Sequence, residues 1–531
     1  MPLVLTLIVG LVIPIPVFTA SASDVGQCKA CHPGIVESYL LTGMGRSMQR
    51  PGPDHPTGVY RHGLSGTSFQ VSSTSDGLVQ VIERAGLSAR YPVEFVIGSG
   101  NAAFGYIVRA GDAAFQSPLT YYTEHGRWGM APGMELEADP DFDRPVTAEC
   151  LWCHAGRPVQ VPRSLNRYRE PVAEPAAISC DRCHGPSDHH LVEPSAGSIF
   201  NPAHAPHRER DSVCEQCHLG GLVRVPNPGQ SFASFEPGRP LEEFWTVFLG
   251  SSSQGKGPDK FQVVSHVEQL ALSRCAQQSG DELWCGTCHD PHQSPVDPHA
   301  HFTAQCLACH DQSLPDGHSK LSGGCASCHM ARRQSHDSGH SAFTDHRISR
   351  HPVPEQEAPA PEALRPWQPV DGPLGRRNLG VANVLQGQRQ GSFEMVQRGL
   401  AQLRGVLGKY PNDETLLDAL GTALLINGDT RGGRRMLERA VGTGRAGALQ
   451  HNALAAAWLS AGRPERAVPA LEAAIHTDPT LESSYRMLAR IHRDSGSAEL
   501  ERQTWQRLLR QRPRLIDARL DLMRAVRESN P

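Results

Sequence analysis

The 531-residue sequence predicts a multidomain fold in two unlike parts. The first consists of short helices and loops with a small β-rich insertion. The second is an all-α repeat solenoid. Three observations lead to this. Seven Cys-x-x-Cys-His units lie between Cys28 and His329, and no cysteine follows Cys328. Segments within 58–128 alternate apolar and polar positions, the period of half-buried strands. Beyond residue 376 a pattern of small residues returns every 34 positions.

The seven units are Cys28-Lys-Ala-Cys31-His32, Cys150-Leu-Trp-Cys153-His154, Cys180-Asp-Arg-Cys183-His184, Cys214-Glu-Gln-Cys217-His218, Cys285-Gly-Thr-Cys288-His289, Cys306-Leu-Ala-Cys309-His310 and Cys325-Ala-Ser-Cys328-His329. With 15 Cys and 26 His in the chain, chance would give about 0.02 copies of a pattern that reads as a c-type haem attachment site. Two thiols add to the two vinyl groups of one haem, and the adjacent His becomes a ligand of its iron. Zinc sites usually pair two Cys-x-x-Cys units per metal and leave the recurring His unexplained. The expected cofactor is heme c, seven copies covalently attached. The first part is then a multihaem cytochrome c domain, with short helices and loops around stacked haems. The fifteenth cysteine, Cys275, lies outside the units and is expected to be a buried thiol.

Hydrophobic residues make up 39% of the chain, a modest share that porphyrins would supplement as apolar filling. The formal charge is −4. Seven bis-imidazole haems with their propionates would carry it to roughly −11 oxidised and −18 reduced, a field that argues against a nucleic-acid partner. Residues Leu3–Phe18 form an apolar run ending in Ala20-Ser21-Ala22, the form of a signal peptide over 1–22. Pro14, Pro16 and the short length argue against a membrane-spanning helix. The n-region departs from the usual form in having no Lys or Arg. The expected location is periplasmic or extracytoplasmic, with no membrane span after the signal is removed.

The domain reading runs in order. Residues 23–57 hold the first haem unit. Residues 58–140 form the β-rich insertion, with strands anticipated at Gly58-Val-Tyr-Arg, Ser68-Phe-Gln-Val-Ser, Leu78-Val-Gln-Val-Ile-Glu, Val93-Glu-Phe-Val-Ile and Gly105-Tyr-Ile-Val-Arg. Residues 141–351 hold six haem units. Residues 352–375 contain seven prolines from Pro352 to Pro373 and read as a stiff extended linker. Residues 376–531 form the solenoid. There Gly421, Ala455 and Ala489 stand 34 apart, each after a leucine, and Pro411, Pro479 and Pro513 share one phase of the same period. That is the tetratricopeptide (TPR) pattern, with units at about 378–411, 412–445, 446–479 and 480–513 and a capping helix near 514–528.

Each haem iron has two axial positions. His32, His154, His184, His218, His289, His310 and His329 fill one apiece. A second His saturates the iron and makes an electron carrier, whereas a vacant position admits substrate. Of the 23 His before residue 352, sixteen lie outside the units. His190, His266, His292, His340 and His346 are the leading distal candidates. His62, His125, His204 and His318 are weaker. Met44 and Met48 follow the first unit, but Met is more often a packing residue.

The chain resembles the multihaem cytochromes c grouped with cytochrome c-554, in the version fused to TPR repeats. The resemblance runs through Val96-Ile-Gly-Ser-Gly-Asn, Ser117-Pro-Leu-Thr-Tyr-Tyr, Trp128-Gly-Met-Ala-Pro-Gly, Cys183-His-Gly-Pro, Cys217-His-Leu, Cys288-His-Asp-Pro-His, Cys328-His-Met and Thr344-Asp-His-Arg-Ile. It implies closely stacked, mostly bis-His haems passing electrons outside the cytoplasmic membrane. Cytochrome c-554 has four haems and this chain seven sites, so haem order does not transfer. The Cys-x-x-Cys-Lys site of related nitrite enzymes is missing here, and octahaem hydroxylamine oxidoreductases have one haem more.

The leading reading is an electron-transfer protein with no catalytic residue. Redox proteins are its partners, and a protein partner docks through the TPR domain. The alternative is a multihaem oxidoreductase acting on a small nitrogen or sulfur species at one five-coordinate haem. Haem 1 or haem 2 would serve, with Arg109, Tyr122 and His125 as pocket residues. A third reading makes the repeats organisers of a complex and the haems redox passengers.

Overall fold

The computed structural model describes residues 25–174, 176–251, 265–310, 324–335, 341–350 and 362–529. The signal-peptide reading and His318 and His340 fall outside them. The first unit sits on the helix Val25–Lys29, followed by the helix Pro33–Tyr39. An eight-stranded antiparallel sheet comes next: β1 (Met48–Gln49), β2 (Gly58–Arg61), β3 (Ser68–Thr74), β4 (Gly77–Arg84), β5 (Leu87–Ile97), β6 (Ala103–Ala110), β7 (Ala113–Tyr122) and β8 (Arg127–Met130). Strands β2 to β8 pair in sequence order, and β1 pairs with β5. Ala85 and Gly86 join β4 to β5, both with positive φ, as a two-residue hairpin turn requires. β1 joins the segment after the first Cys-x-x-Cys-His unit to the sheet through β5. Five of the strands coincide with the anticipated segments, whereas β1, β7 and β8 were not anticipated. β7 is covered on both faces: Phe115 and Leu119 enter one core cluster and Ala114 another. Such a strand shows no polar–apolar alternation.

Short helices carry the other units: Ala148–His154, Asp181–His184, His207–His218, Cys285–Cys288, Pro298–Cys309 and Gly324–His329. Their packing differs along the chain. Around the second to fourth units an aromatic core gathers Trp152, Leu219, Phe235, Phe244 and Trp245. Among the described residues of 265–350 no apolar side chain is buried, and the buried ones are Ser, Gln and Asp. The last three units therefore fold without a side-chain core.

The solenoid consists of four helix pairs and a cap: 1A (Gly372–Gln390) and 1B (Phe393–Val406), 2A (Glu414–Ile426) and 2B (Thr430–Gly442), 3A (Ala448–Ser460) and 3B (Pro464–Thr477), 4A (Glu482–Asp494) and 4B (Ala498–Gln511), then Ile516–Ser529. Helices 2A, 3A, 4A and the cap begin 34 residues apart, as do 2B, 3B and 4B. Side-chain caps set several starts: Ser392 accepts from Met395 N, Asp413 from Leu416 N and Asp429 from Gly432 N. The small residues let paired helices touch. A Cβ on Gly421 would meet Leu437 Cγ at 2.8 Å, and one on Gly399 would meet Gly380 O at 2.7 Å.

The expected linker is not a free spacer where it is described. Ala363–Pro366 is a strand paired with Trp245–Ser251, which also pairs with Val223–Pro226. Trp367 N donates to Val247 O, and Trp367 Nε1 donates to Glu215. Leu364 is buried in the same cluster as Val381 and Leu400. The proline-rich composition conceals an edge strand, where Pro366 is tolerated.

The solenoid then packs against the first part at three places. In helix 1A, Asn378 donates to Asn227 and Thr246, and Arg377 to Pro226 O. At the 3B–4A junction Asp478 accepts from Leu165 N at 3.0 Å. At the far end Asp141, its side chain 0% exposed, accepts from Ile516 N at 3.1 Å and from Arg84 Nη2 at 3.4 Å. Arg84 also pairs with Asp517 at 2.5 Å. Arg512 donates to Phe142 O, and its guanidinium covers the Phe115 ring at 4.1 Å.

Removing one partner of a buried ion pair leaves the other charge uncompensated. Arg84→Met is expected to cost about 3–5 kcal/mol, read by chemical denaturation, and to expose the terminal helix to protease. The same contact should be pH-sensitive. Burial, with Glu482 and Asp141 nearby, raises the Asp143 carboxyl to about 7, and burial raises Asp517 to about 6. Folding therefore favours the protonated acids. Their contribution is complete below the ordinary carboxyl value of 3.8 and is lost as pH rises through 6 to 7. Asp143→Asn is expected to flatten that decline in a series of denaturation midpoints between pH 4 and 8. An unchanged slope contradicts it.

Candidate cofactor site

The second, third and fourth units interlock through the residues between their cysteines. Leu151, Trp152, Asp181, Arg182, Glu215 and Gln216 are all buried, whereas Lys29, Ala30, Leu307 and Ala308 in the first and sixth units are exposed. Gln216 Nε2 donates to Arg182 O at 2.9 Å, and Arg182 Nη2 donates to Trp152 O at 2.7 Å. The Arg182 guanidinium lies over the Trp152 ring at 3.2 Å.

None of the fifteen cysteines is in a disulfide. Thiols of different units lie near one another and interact instead: Cys28 with Cys180, Cys153 with Cys217, Cys214 with Cys285 and Cys306 with Cys325. Cys183 interacts electrostatically with Cys214 and Cys217, and Cys288 with Cys306 and Cys309. The seven units thus form one connected series, 1–3–4–5–6–7, with the second unit attached to the fourth. Cys275, on the helix Arg274–Ser279, interacts with Cys288 and Cys306.

The imidazoles meet across the units. His32 and His190 have ring centroids 6.4 Å apart with planes 14° apart, and His184 and His292 stand at 5.9 Å and 16°. His218 and His266 are 5.4 Å apart, His266 and His346 4.9 Å, and His289 and His346 6.2 Å. Parallel rings in direct contact would be much closer. Metal–imidazole bonds are about 2.0–2.1 Å long, so two imidazoles trans on one metal put their centroids roughly 6 Å apart. The His32–His190, His184–His292 and His289–His346 spacings fit a metal between the rings; His266 lies closer, edge-on to both His218 and His346. Among the described residues His154 and His310 have no such facing ring.

Hydrogen bonds also fix which ring nitrogen is free. His184 Nδ1 donates to Phe200 O, His329 Nδ1 to Ser349 O and His346 Nδ1 to Thr344 O, at 2.9–3.0 Å. A carbonyl only accepts, so each neutral ring keeps its Nε2 lone pair for a metal, the usual arrangement around a ligating His. Ser198 Oγ gives its proton to Ser195 O and accepts from His190 Nδ1 at 2.9 Å. Burial holds His154, His184, His218 and His346 below the ordinary imidazole value, with His266 near 3 and His289 near 4. These rings are neutral at pH 7, the form that binds metal. His266 Nδ1 is buried without a hydrogen-bond partner. His301 was not anticipated; its Nε2 meets Cys288 O at 3.1 Å.

Other residues singled out in the sequence serve the fold. Met48 lies in a core with Phe95 and Val172. His62 binds Ser65 Oγ and Glu135 O. Tyr122 donates to Met130 O, and Arg109 pairs with Glu94 and Glu170. His204 ends a single turn, Pro202–His204. Among the described residues no three His, Cys, Asp or Glu side chains converge on a common metal position.

No protein-family model matches the chain, and no curated protein sequence does. Solved TPR structures align with part of it. The MamA protein is 18% identical over 28% of this chain and 80% of its own, with a TM-score of 0.25. YrrB, described as a TPR protein with an unusual peptide-binding site, is 15% identical over 28% and 77%, TM-score 0.24. A thermophilic TPR protein from Thermus thermophilus is 17% identical over 29% and 81%, TM-score 0.24. The repeat architecture rests on the 34-residue helix spacing rather than on these scores. Among the described residues no helix is long and apolar enough to cross a membrane.

Proposed function

We propose that this chain is an exported heptahaem c-type cytochrome that relays electrons through mostly bis-His haems, with the TPR solenoid as its docking surface. One observation carries the reading: the four described distal candidates, His190, His266, His292 and His346, each face a histidine of a Cys-x-x-Cys-His unit. The two thiols of each unit would hold the porphyrin, and the unit His would ligate from one side. From the other side His190 pairs with His32, His292 with His184, His266 with His218 and His346 with His289. Bound haem would supply reversible one-electron chemistry at iron. The protein keeps the imidazoles neutral by burial and aims their Nε2 atoms through Nδ1 hydrogen bonds. It also brings attachment sites of different units near one another, as a relay would need. The core-free packing of 265–350 suits a segment built around a cofactor. Export follows from the chemistry, because covalent haem attachment occurs in exported bacterial proteins. Proteins that give and take electrons, and a protein held by the solenoid, are the partners.

A second reading, an oxidoreductase acting on a small nitrogen or sulfur species, is favoured by one detail. His154 and His310 face no imidazole among the described residues, so the second and sixth units are the positions where a haem could be five-coordinate.

Intact mass of the mature protein from its native host is expected to equal the chain plus seven haems; bare thiols or zinc would end the relay reading. In electron paramagnetic resonance of the oxidised protein, His190→Ala is expected to convert one low-spin centre to high-spin. An unchanged spectrum removes His190 as a ligand. A wild-type high-spin signal that responds to nitrite or hydroxylamine would favour the second reading.

A further inference from the structure

On the reading that the units carry haem, we propose that Arg182 sets the reduction potentials of the haems at the second, third and fourth units and makes that junction the place where electrons collect. Arg182 lies between the two cysteines of the third unit, stacks on Trp152 of the second and accepts a hydrogen bond from Gln216 of the fourth at its carbonyl. It interacts electrostatically with Cys217 and Cys183. Three attachment sites therefore surround one guanidinium that is 3% exposed.

The charge is offset only in part, by Asp181, which acts on it electrostatically without an ion pair and is itself opposed by Arg157. Guanidinium stays protonated in proteins. Among the described residues no carboxylate forms an ion pair with it. The adjacent Asp181 is engaged by Arg157 Nε and Ser179 Oγ. Glu215, the other acidic residue inside a unit here, is held by Arg208 and Trp367. Asp181 thus has Arg157 as its ion-pair partner, Glu215 shares Arg208 with Glu242, and Arg182 is in no ion pair among the described residues. An unpaired buried cation is costly to the fold alone, so its retention points to a gain elsewhere. A haem iron going from ferric to ferrous takes up one electron and one negative charge. A fixed cation in the same poorly screened interior stabilises the reduced form and raises the potential. At the first unit the corresponding cation, Lys29, is exposed and paired with Glu37, where solvent and salt screen it.

The test is an optical redox titration of the full-length, haem-loaded protein, with haem number checked by mass for each variant. In Arg182→Met a subset of the seven centres is expected to titrate at lower potential while the others superimpose on wild type. Arg182→Lys, which keeps the charge, should restore most of the wild-type curve. Asp181→Asn, which removes the neighbouring anion, should move the same subset upward. Seven haems in Arg182→Met with an unmoved curve overturns the proposal alone, and so does a shift in Arg182→Lys as large as in Arg182→Met. If Arg182→Met does not load haem, Asp181→Asn decides: an unmoved or downward curve overturns it. A wild-type chain without haem sinks the haem reading and this proposal with it.

Discussion

The contact on which the first part depends is the Trp152–Arg182–Gln216 interlock. Each of these residues sits between the two cysteines of a different unit, so one buried contact fixes three attachment sites together. Around it lies the aromatic core of Phe235, Phe244 and Trp245. Away from it side-chain packing thins, and across 265–350 buried apolar residues are missing among those described. The chain holds its second to fourth units rigidly by side-chain packing. Its last three units are held by backbone turns and by thiol proximity, and the fifth also by His289 against His346. A relay needs fixed distances between its centres, and these two ways of fixing them divide at the fourth unit, where Cys214 meets Cys285.

How much of this is legible in the sequence varies with the physical signal. The 34-residue helix spacing is readable because close helix contact demands small residues, and Gly421, Ala455 and Ala489 mark it directly. The strands with one face exposed are readable from alternation. β7 is not, because burial on both faces erases the alternation. The strand Ala363–Pro366 is hidden by prolines that an edge strand tolerates. The facing histidines can be named singly from their surroundings, but their pairing cannot: His32 meets His190 from 158 positions away only because the fold brings the third unit beside the first. The junction leaves a trace in the sequence that alternation and periodicity do not reveal. Units two to four carry Leu-Trp, Asp-Arg and Glu-Gln between their cysteines, whereas the fifth and seventh carry Gly-Thr and Ala-Ser. Two large residues there mark the packed units; one beside an alanine, as in Lys29-Ala30 and Leu307-Ala308, does not.

The solenoid is joined to the first part along its length, and this changes what docking means. A tethered module would search for a partner independently of the relay. Here Asn378, Asp478 and Asp141 fix the first, middle and last repeats against the protein that carries the units. A partner held on the remaining face is therefore held at a set orientation to the Cys-x-x-Cys-His units. The cost is that the two parts do not separate cleanly. Deleting the solenoid would strip Ile516 N and the Asp517 pairing from the Asp141–Arg84 contact and uncover Phe115 and Phe142, leaving buried charge without its partners. A binding defect in such a truncation would not distinguish lost docking from a damaged sheet. Exposed side chains on the solenoid avoid this: Arg431 and Arg435 on helix 2B face solvent, one turn apart, away from the three contacts. Neutralising such exposed residues leaves the junction intact, so a change in binding there is read without a damaged sheet.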